Sequence, residues 1–128
     1  MSIIRVYRVQ DETGRGPYKP GFSHKWTDAH HNERNPSLFE DFSLQPNDLE
    51  NAWHPNENGG CAFRSLKQLH SWFGLTERFR LEELGYSIVT MLVDRIIFES
   101  ERQLIFARKR SLRLGAIKLP WHSEEWAG

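Results

Sequence analysis

Three polar features of the sequence sit beside glycines or at the edges of β-type runs, places from which side chains commonly do chemistry. They are Arg8, the run Phe63-Arg64-Ser65, and the run Glu99-Ser100-Glu101-Arg102-Gln103. The Arg8 guanidinium offers a fixed fork of donors that matches phosphate oxygens two at a time. Glu101 and Gln103 stand two apart, which on an extended strand places both on one face. Downstream of Arg8 runs Gly14-Arg15-Gly16-Pro17-Tyr18. This stretch lacks the strand-then-helix context of a phosphate-binding glycine motif, so it fits either a plain turn or a loop that covers a ligand. Each feature also has a plainer use: Arg8 pairing with a carboxylate of the acidic segment, Ser65 as a helix cap, Gln103 as an ordinary strand residue.

Other chemistries have weaker support. His24, His30, His31 and His54 with Asp28 could offer nitrogen and oxygen ligands to a divalent ion. Adjacent His30 and His31 are poorly placed to ligate together from one helix face, no His-Glu-x-x-His spacing occurs, and the reading is that no metal is held. Cys61 with His70 as nucleophile and base is disfavoured too, because a lone Cys between a glycine and an apolar helix usually packs as an inert side chain. No nucleophile elbow supports a serine hydrolase.

The elements that must position these groups follow from periodicity. Residues 3–10 form a β-branched run that reads as a strand, and residues 11–21, with three Gly and two Pro, read as a long loop. Ser65-Leu66-Lys67-Gln68 has the form of a capping box. A helix should start there, with Leu66, Leu69 and Phe73 on one apolar face and Gly74 at its end. A second helix fits residues 76–84, with Phe79 and Leu84 inward and Gly85 as its stop. Residues 86–93 read as a largely buried strand, and residues 96–98 and 103–107 as two more around a polar turn. Residues 108–114 fit a basic helix or an extended segment, and the tail of residues 120–126 carries Trp121 and Trp126, which either dock on the body or form an interaction motif. The expectation is one α+β domain spanning residues 1–128, with a mixed or antiparallel sheet of about five or six strands and a packed helix pair.

Composition sets the bounds. The 128 residues favour one domain, and 38 % hydrophobic residues with five Trp and eight Phe can fill a core. Lys plus Arg and Asp plus Glu both number 17, so there is no general pull toward nucleic acid or anionic membrane. The neutral total conceals two opposed segments: residues 28–57 carry seven carboxylates against Arg34, and residues 95–118 carry seven Lys or Arg against Glu99 and Glu101. They either face each other or water, or the basic segment serves an anionic ligand. With no long apolar stretch, no leader pattern and one Cys, the expectation is a soluble cytoplasmic protein with no membrane partner.

Taken in order over residues 7–106, these features resemble the layout of the ADP-ribosyltransferase fold, with its early-strand Arg, an aromatic strand leading through Ser or Thr into a helix, and a Glu opening a late strand. The resemblance implies NAD as cofactor. Tyr7-Arg8 would match the strand whose Arg contacts the phosphates or ribose, and Cys61-Ala62-Phe63-Arg64-Ser65 the segment beside the nicotinamide. Gly16 and Tyr18 would border the ligand. Gln103 would fall where the family carries its catalytic Glu. The sequence departs from the family there, since Gln cannot stabilise a cationic ribose, and Glu101 is the carboxylate that could. The implied function is binding of NAD or a related nucleotide, with transfer of ADP-ribose to a macromolecular acceptor if a carboxylate serves. The order Tyr-Arg, Gly-Pro-Tyr, Phe-x-Ser and Gln-Leu-Ile-Phe is also similar to small phage-encoded proteins of unassigned function, which leaves open a non-enzymatic protein that inhibits a host protein.

Overall fold

The computed structural model describes residues 4–18 and 21–121. Six strands form, but in two antiparallel sheets of three. The first has β1 (Ile4–Gln10), β3 (Ser87–Val93) and β6 (Ile117–Leu119) in the order β1-β3-β6; the second has β2 (Asn58–Ala62), β4 (Arg95–Glu99) and β5 (Leu104–Arg108) in the order β2-β5-β4. The expected single sheet of five or six strands is therefore split. The chain makes the split itself: β3 ends at Val93 and β4 begins at Arg95, so Asp94 is a one-residue corner between the sheets. That corner is tied by the Asp94 amide to the Ala107 carbonyl (3.2 Å), and by the Lys109 amide to Asp94 Oδ2 (2.8 Å). An isolated backbone bridge joins the end of β2 to the first sheet, between Tyr7 and Phe63, whose amides and carbonyls exchange two 2.8 Å bonds. The pairing extends no further because the chain turns into a helix at Ser65.

Strand alternation gives the first sheet two different faces. Val6 and Arg8 share a face with their cross-strand partners Met91 and Val89, and this face meets Ala62, Leu104 and Phe106 of the second sheet. Val9 and Ile88 point the other way, into a core with Trp26, Phe63, Trp72 and Phe73. Among the described residues five α-helices lie in chain order as α1 (His31–Arg34), α2 (Leu38–Asp41), α3 (Pro46–Glu50), α4 (Leu66–Trp72) and α5 (Leu75–Glu83). The box at the start of α4 is complete: Ser65 Oγ accepts from the Gln68 amide (3.1 Å), while Gln68 Oε1 accepts from the amides of Ser65 (3.2 Å) and Arg64 (2.9 Å).

The face of α5 differs from the expected one. Phe79 and Leu84 are exposed, whereas Leu81 and Glu77 are fully buried. A polar residue sets that face, because Glu77 faces buried donors on α1 and its neighbours. Residues 109–116 form neither helix nor strand; they are turns gathered around the buried Arg108 guanidinium, which donates to the carbonyls of Leu92 (3.1 Å), Arg110 (3.3 Å), Ser111 and Leu114. Trp121 docks, its indole buried and donating to the Tyr86 carbonyl at 2.9 Å. Trp126 lies outside the described residues.

Candidate functional site

Because Arg8 alternates with Val6 toward the second sheet, its side chain enters a place where most residues are apolar. Gly60 makes room for it, while Gly16 merely borders it at ordinary contact distance. An ideal Cβ on Gly60 would stand 2.5 Å from Arg8 Nη1, and one on Gly16 would stand 3.6 Å from Nη2. The guanidinium donates from Nε to Gln10 Oε1 (2.9 Å), from Nη1 to the Cys61 carbonyl (2.8 Å) and from Nη2 to the Gly14 carbonyl (2.9 Å). It also lies 5.6 Å from the centroid of Phe106. All three acceptors are neutral. The expected pairing of Arg8 with the acidic segment does not form, and among the described residues Arg8 makes no ion pair. Burial pulls its pKa down, opposed by the charge of Asp11. Three of the five guanidinium N–H groups are spent on these bonds.

Beside Arg8 lies a cavity of about 360 Å³ walled by β1, the 14–18 loop, β2 and the C-terminal end of α4. Arg8, Gly16, Tyr18, Phe63 and Gln103 of the expected site residues line it, joined by Arg15, Cys61, Trp72 and Phe73. The 14–18 loop therefore walls a cavity. Its shape is fixed by Asp11 Oδ1, which accepts from the amides of Thr13 (2.9 Å) and Arg15 (3.1 Å), and by Trp26 Nε1 donating to the Pro17 carbonyl (3.1 Å). Burial pushes the Cys61 thiol up, which keeps it protonated.

Ser65 and Glu101 do not line this cavity. The Ser65 hydroxyl serves the helix cap. Glu101 belongs to a turn before β5, where the Ser100 amide donates to the Gln103 carbonyl (2.9 Å) and Ser100 Oγ accepts from the Arg102 and Gln103 amides (3.1 and 3.2 Å). The two-residue period of a strand does not apply there, so Glu101 is exposed while Gln103 is buried. Gln103 Nε2 donates to Asp41 Oδ2 (3.0 Å), which also accepts from Ser100 Oγ (2.6 Å). Gln103 is thus the pin between α2 and the β4–β5 turn.

A second buried network reaches the cavity from behind. Glu77 accepts at Oε2 from His31 Nδ1 (2.8 Å) and the Asp28 amide (3.0 Å), and at Oε1 from Arg34 Nη2 (2.8 Å) and the Gly74 amide (2.9 Å). With Nδ1–H committed to Glu77, His31 has Nε2 left to face the Tyr18 hydroxyl. Trp72 Nε1, a donor only, gives its hydrogen to Tyr18 Oη (2.6 Å), so the Tyr18 hydroxyl donates in turn to His31 Nε2 (2.9 Å). Burial raises the Tyr18 pKa, so this hydroxyl remains a phenol. Its ring stays half exposed while the hydroxyl is anchored inward. Sequence reasoning missed the Glu77–His31–Tyr18 chain because its members are far apart in sequence, and it treated His31 only as a metal ligand. Among the described residues no three His, Cys, Asp or Glu side chains cluster to hold a metal.

These features define a small α+β protein with a basic, aromatic-walled cavity. The chain belongs to the family described as Bacteriophage T4 Y00F protein, which matches residues 1–120. No curated protein and no solved structure matches it.

Proposed function

We propose that this phage protein binds a nucleotide, with NAD or a fragment of it as a candidate ligand, by seating a phosphate on Arg8. One observation carries the reading: a buried guanidinium, bonded only to neutral oxygens, faces a cavity. A buried charge without an ion-pair partner is costly, and a bound anion offsets that cost. The wall of Tyr18, Phe63, Trp72 and Phe73 supplies aromatic surface for a base. A cavity of about 360 Å³ suits one nucleoside phosphate, so a dinucleotide would leave one half outside. Among the described residues no carboxylate lines the cavity to stabilise a cationic ribose, which favours binding over transfer of ADP-ribose.

The test is an amide NMR titration with AMP, ADP-ribose and NAD, comparing wild type with Arg8→Gln. Shifts centred on residues 14–18 and 59–63, lost in the folded variant, are expected. Absence of shifts with all three ligands refutes the reading. A second reading, capture of a host protein, is favoured by Leu75 and Phe79, exposed at 58 % and 50 % one turn apart on α5. A host complex lost on Leu75→Asp and Phe79→Asp, yet kept on Arg8→Gln, would support it; a complex that persists in both would count against that face.

A further inference from the structure

We propose that the nucleotide seated at Arg8 is the phosphorylated end of a single-stranded nucleic acid, whose following phosphates run over Arg15 and the basic turns of residues 109–113. This inference rests on the nucleotide reading above. Its own observation is a set of exposed cations, Arg15, Lys109, Arg110 and Arg113, none of which makes an ion pair among the described residues.

The turns that carry these cations adjoin the cavity. Leu112 and Arg15 line it, and an ideal Cβ on Gly14 would stand 3.1 Å from Leu112 Cβ and 3.5 Å from Arg113 Cγ. Gln10, the partner of Arg8, donates from Nε2 to the Leu112 carbonyl at 2.9 Å. At the β2 side, Asn58 Nδ2 donates to the carbonyls of Lys109 (3.3 Å) and Arg110 (3.1 Å). Arg108 fixes the turns from inside through its carbonyl bonds. Their cations are therefore presented from a shaped backbone rather than from a tail.

Nearby carboxylates are already engaged. Glu12 pairs with Lys118 at 2.8 Å, Asp11 Oδ1 caps the 13–15 turn, and Asp94 Oδ2 takes the Lys109 amide. The two phosphates of a dinucleotide would occupy Arg8 and Arg15 and leave the other three cations without a partner. A strand uses them all. Proteins that hold single strands combine such a basic track with aromatic faces on which bases stack. Tyr18 is suited to this role, because Trp72 and His31 anchor its hydroxyl and leave the ring at the surface.

Fluorescence anisotropy tests the inference, using hexanucleotides of DNA and RNA with a 5′-phosphate, a 3′-phosphate or neither, competed by AMP and NAD. One end-phosphorylated hexamer should bind at least about tenfold tighter than both AMP and the unphosphorylated hexamer. Neutralising about five phosphate charges gives a slope of roughly −3 to −4 in log affinity against log salt. Lys109→Glu with Arg113→Glu should weaken the hexamer at least tenfold and flatten that slope, with an unchanged circular dichroism spectrum. Arg8→Gln should erase the preference for the phosphorylated end. If AMP binds and no hexamer binds tighter, the inference falls and the cavity reading stands. If neither mononucleotides nor hexamers bind, both fall. Hexamer binding that ignores the end phosphate or Arg8 also overturns the inference.

Discussion

Gly60→Ala probes the support of Arg8 without touching Arg8. The new methyl would sit 2.5 Å from Nη1 and 3.2 Å from Cζ of a side chain held by three hydrogen bonds. Retreat of β2 is blocked on its other flank, where a Cβ on Gly59 would already overlap the Trp53 indole at 1.8 Å. Arg8 must therefore leave. Breaking three charge-assisted bonds at about 1.5–3 kcal/mol each, less the hydration that Arg8 regains outside, gives a net loss of roughly 2–4 kcal/mol. Urea unfolding of wild type, Gly60→Ala, Arg8→Met and the double variant measures this as a cycle. With the pliable Met in place of Arg8, the added methyl should cost under about 0.5 kcal/mol, so the coupling should exceed about 1.5 kcal/mol. Effects of the two substitutions that add to within about 0.5 kcal/mol would refute the claim that Gly60 is glycine for Arg8.

Ser65→Ala should cost roughly 0.5–2 kcal/mol of stability through the lost cap and leave nucleotide affinity intact, since Ser65 is outside the cavity; an unchanged urea midpoint would contradict the cap. Glu77→Gln should cost about 1–3 kcal/mol at pH 7, because a fully buried acceptor of four hydrogen bonds loses its charge and the new amide nitrogen faces donors, while Arg34 keeps Asp28. Burial pushes the Glu77 pKa up, but bonds from His31 and the Gly74 and Asp28 amides outweigh it, so the folded value is depressed. The advantage of wild type should hold above the unfolded value of about 4.3 and vanish as pH falls through the folded one; a difference unchanged down to pH 2 would refute this assignment. Gln103→Glu should set a second carboxylate against Asp41 and cost about 1–3 kcal/mol, whereas Glu101→Gln should leave stability within about 0.5 kcal/mol of wild type. Thermal melts at pH 7 distinguish these outcomes.

Much of the scaffold was legible because local rules agreed with the tertiary result. The Ser65–Gln68 box marks a helix start by chemistry that needs no long-range partner, and the β-branched run ending at Val93 is a strand in any context. Asn58–Ala62 was harder to read as a strand, because its glycines are there to clear Arg8 and Trp53 rather than to favour a β conformation. The break after Val93 was legible, but a single Asp between two strands gives no sign that it is a corner that makes two sheets from six strands. Arg8, Gly16, Tyr18, Phe63 and Gln103 do meet at one cavity, whereas Ser65 and Glu101 were drawn toward it by pattern and are held elsewhere by local bonds. Strand period misled at Glu101 because it lies in the turn before β5.

The opposed charge segments show why the neutral total says little about ligands. Part of each segment is spent on the other: Glu57 takes Arg95 at 2.6 Å, and the Arg95 guanidinium holds its carboxyl down at about 2. Other charges serve the backbone, since Arg108 solvates carbonyls and Asp41 pins Gln103 and Ser100. What this internal pairing leaves is uneven. The carboxylates that face α1 and α5 are consumed by His31 and Arg34, while the cations of residues 109–113 and Arg15 are gathered beside a cavity that holds one more guanidinium without an ion-pair partner. A chain with no net charge thus still sets several unpaired cations beside one cavity, and on the proposed reading the aromatic wall there selects among anions.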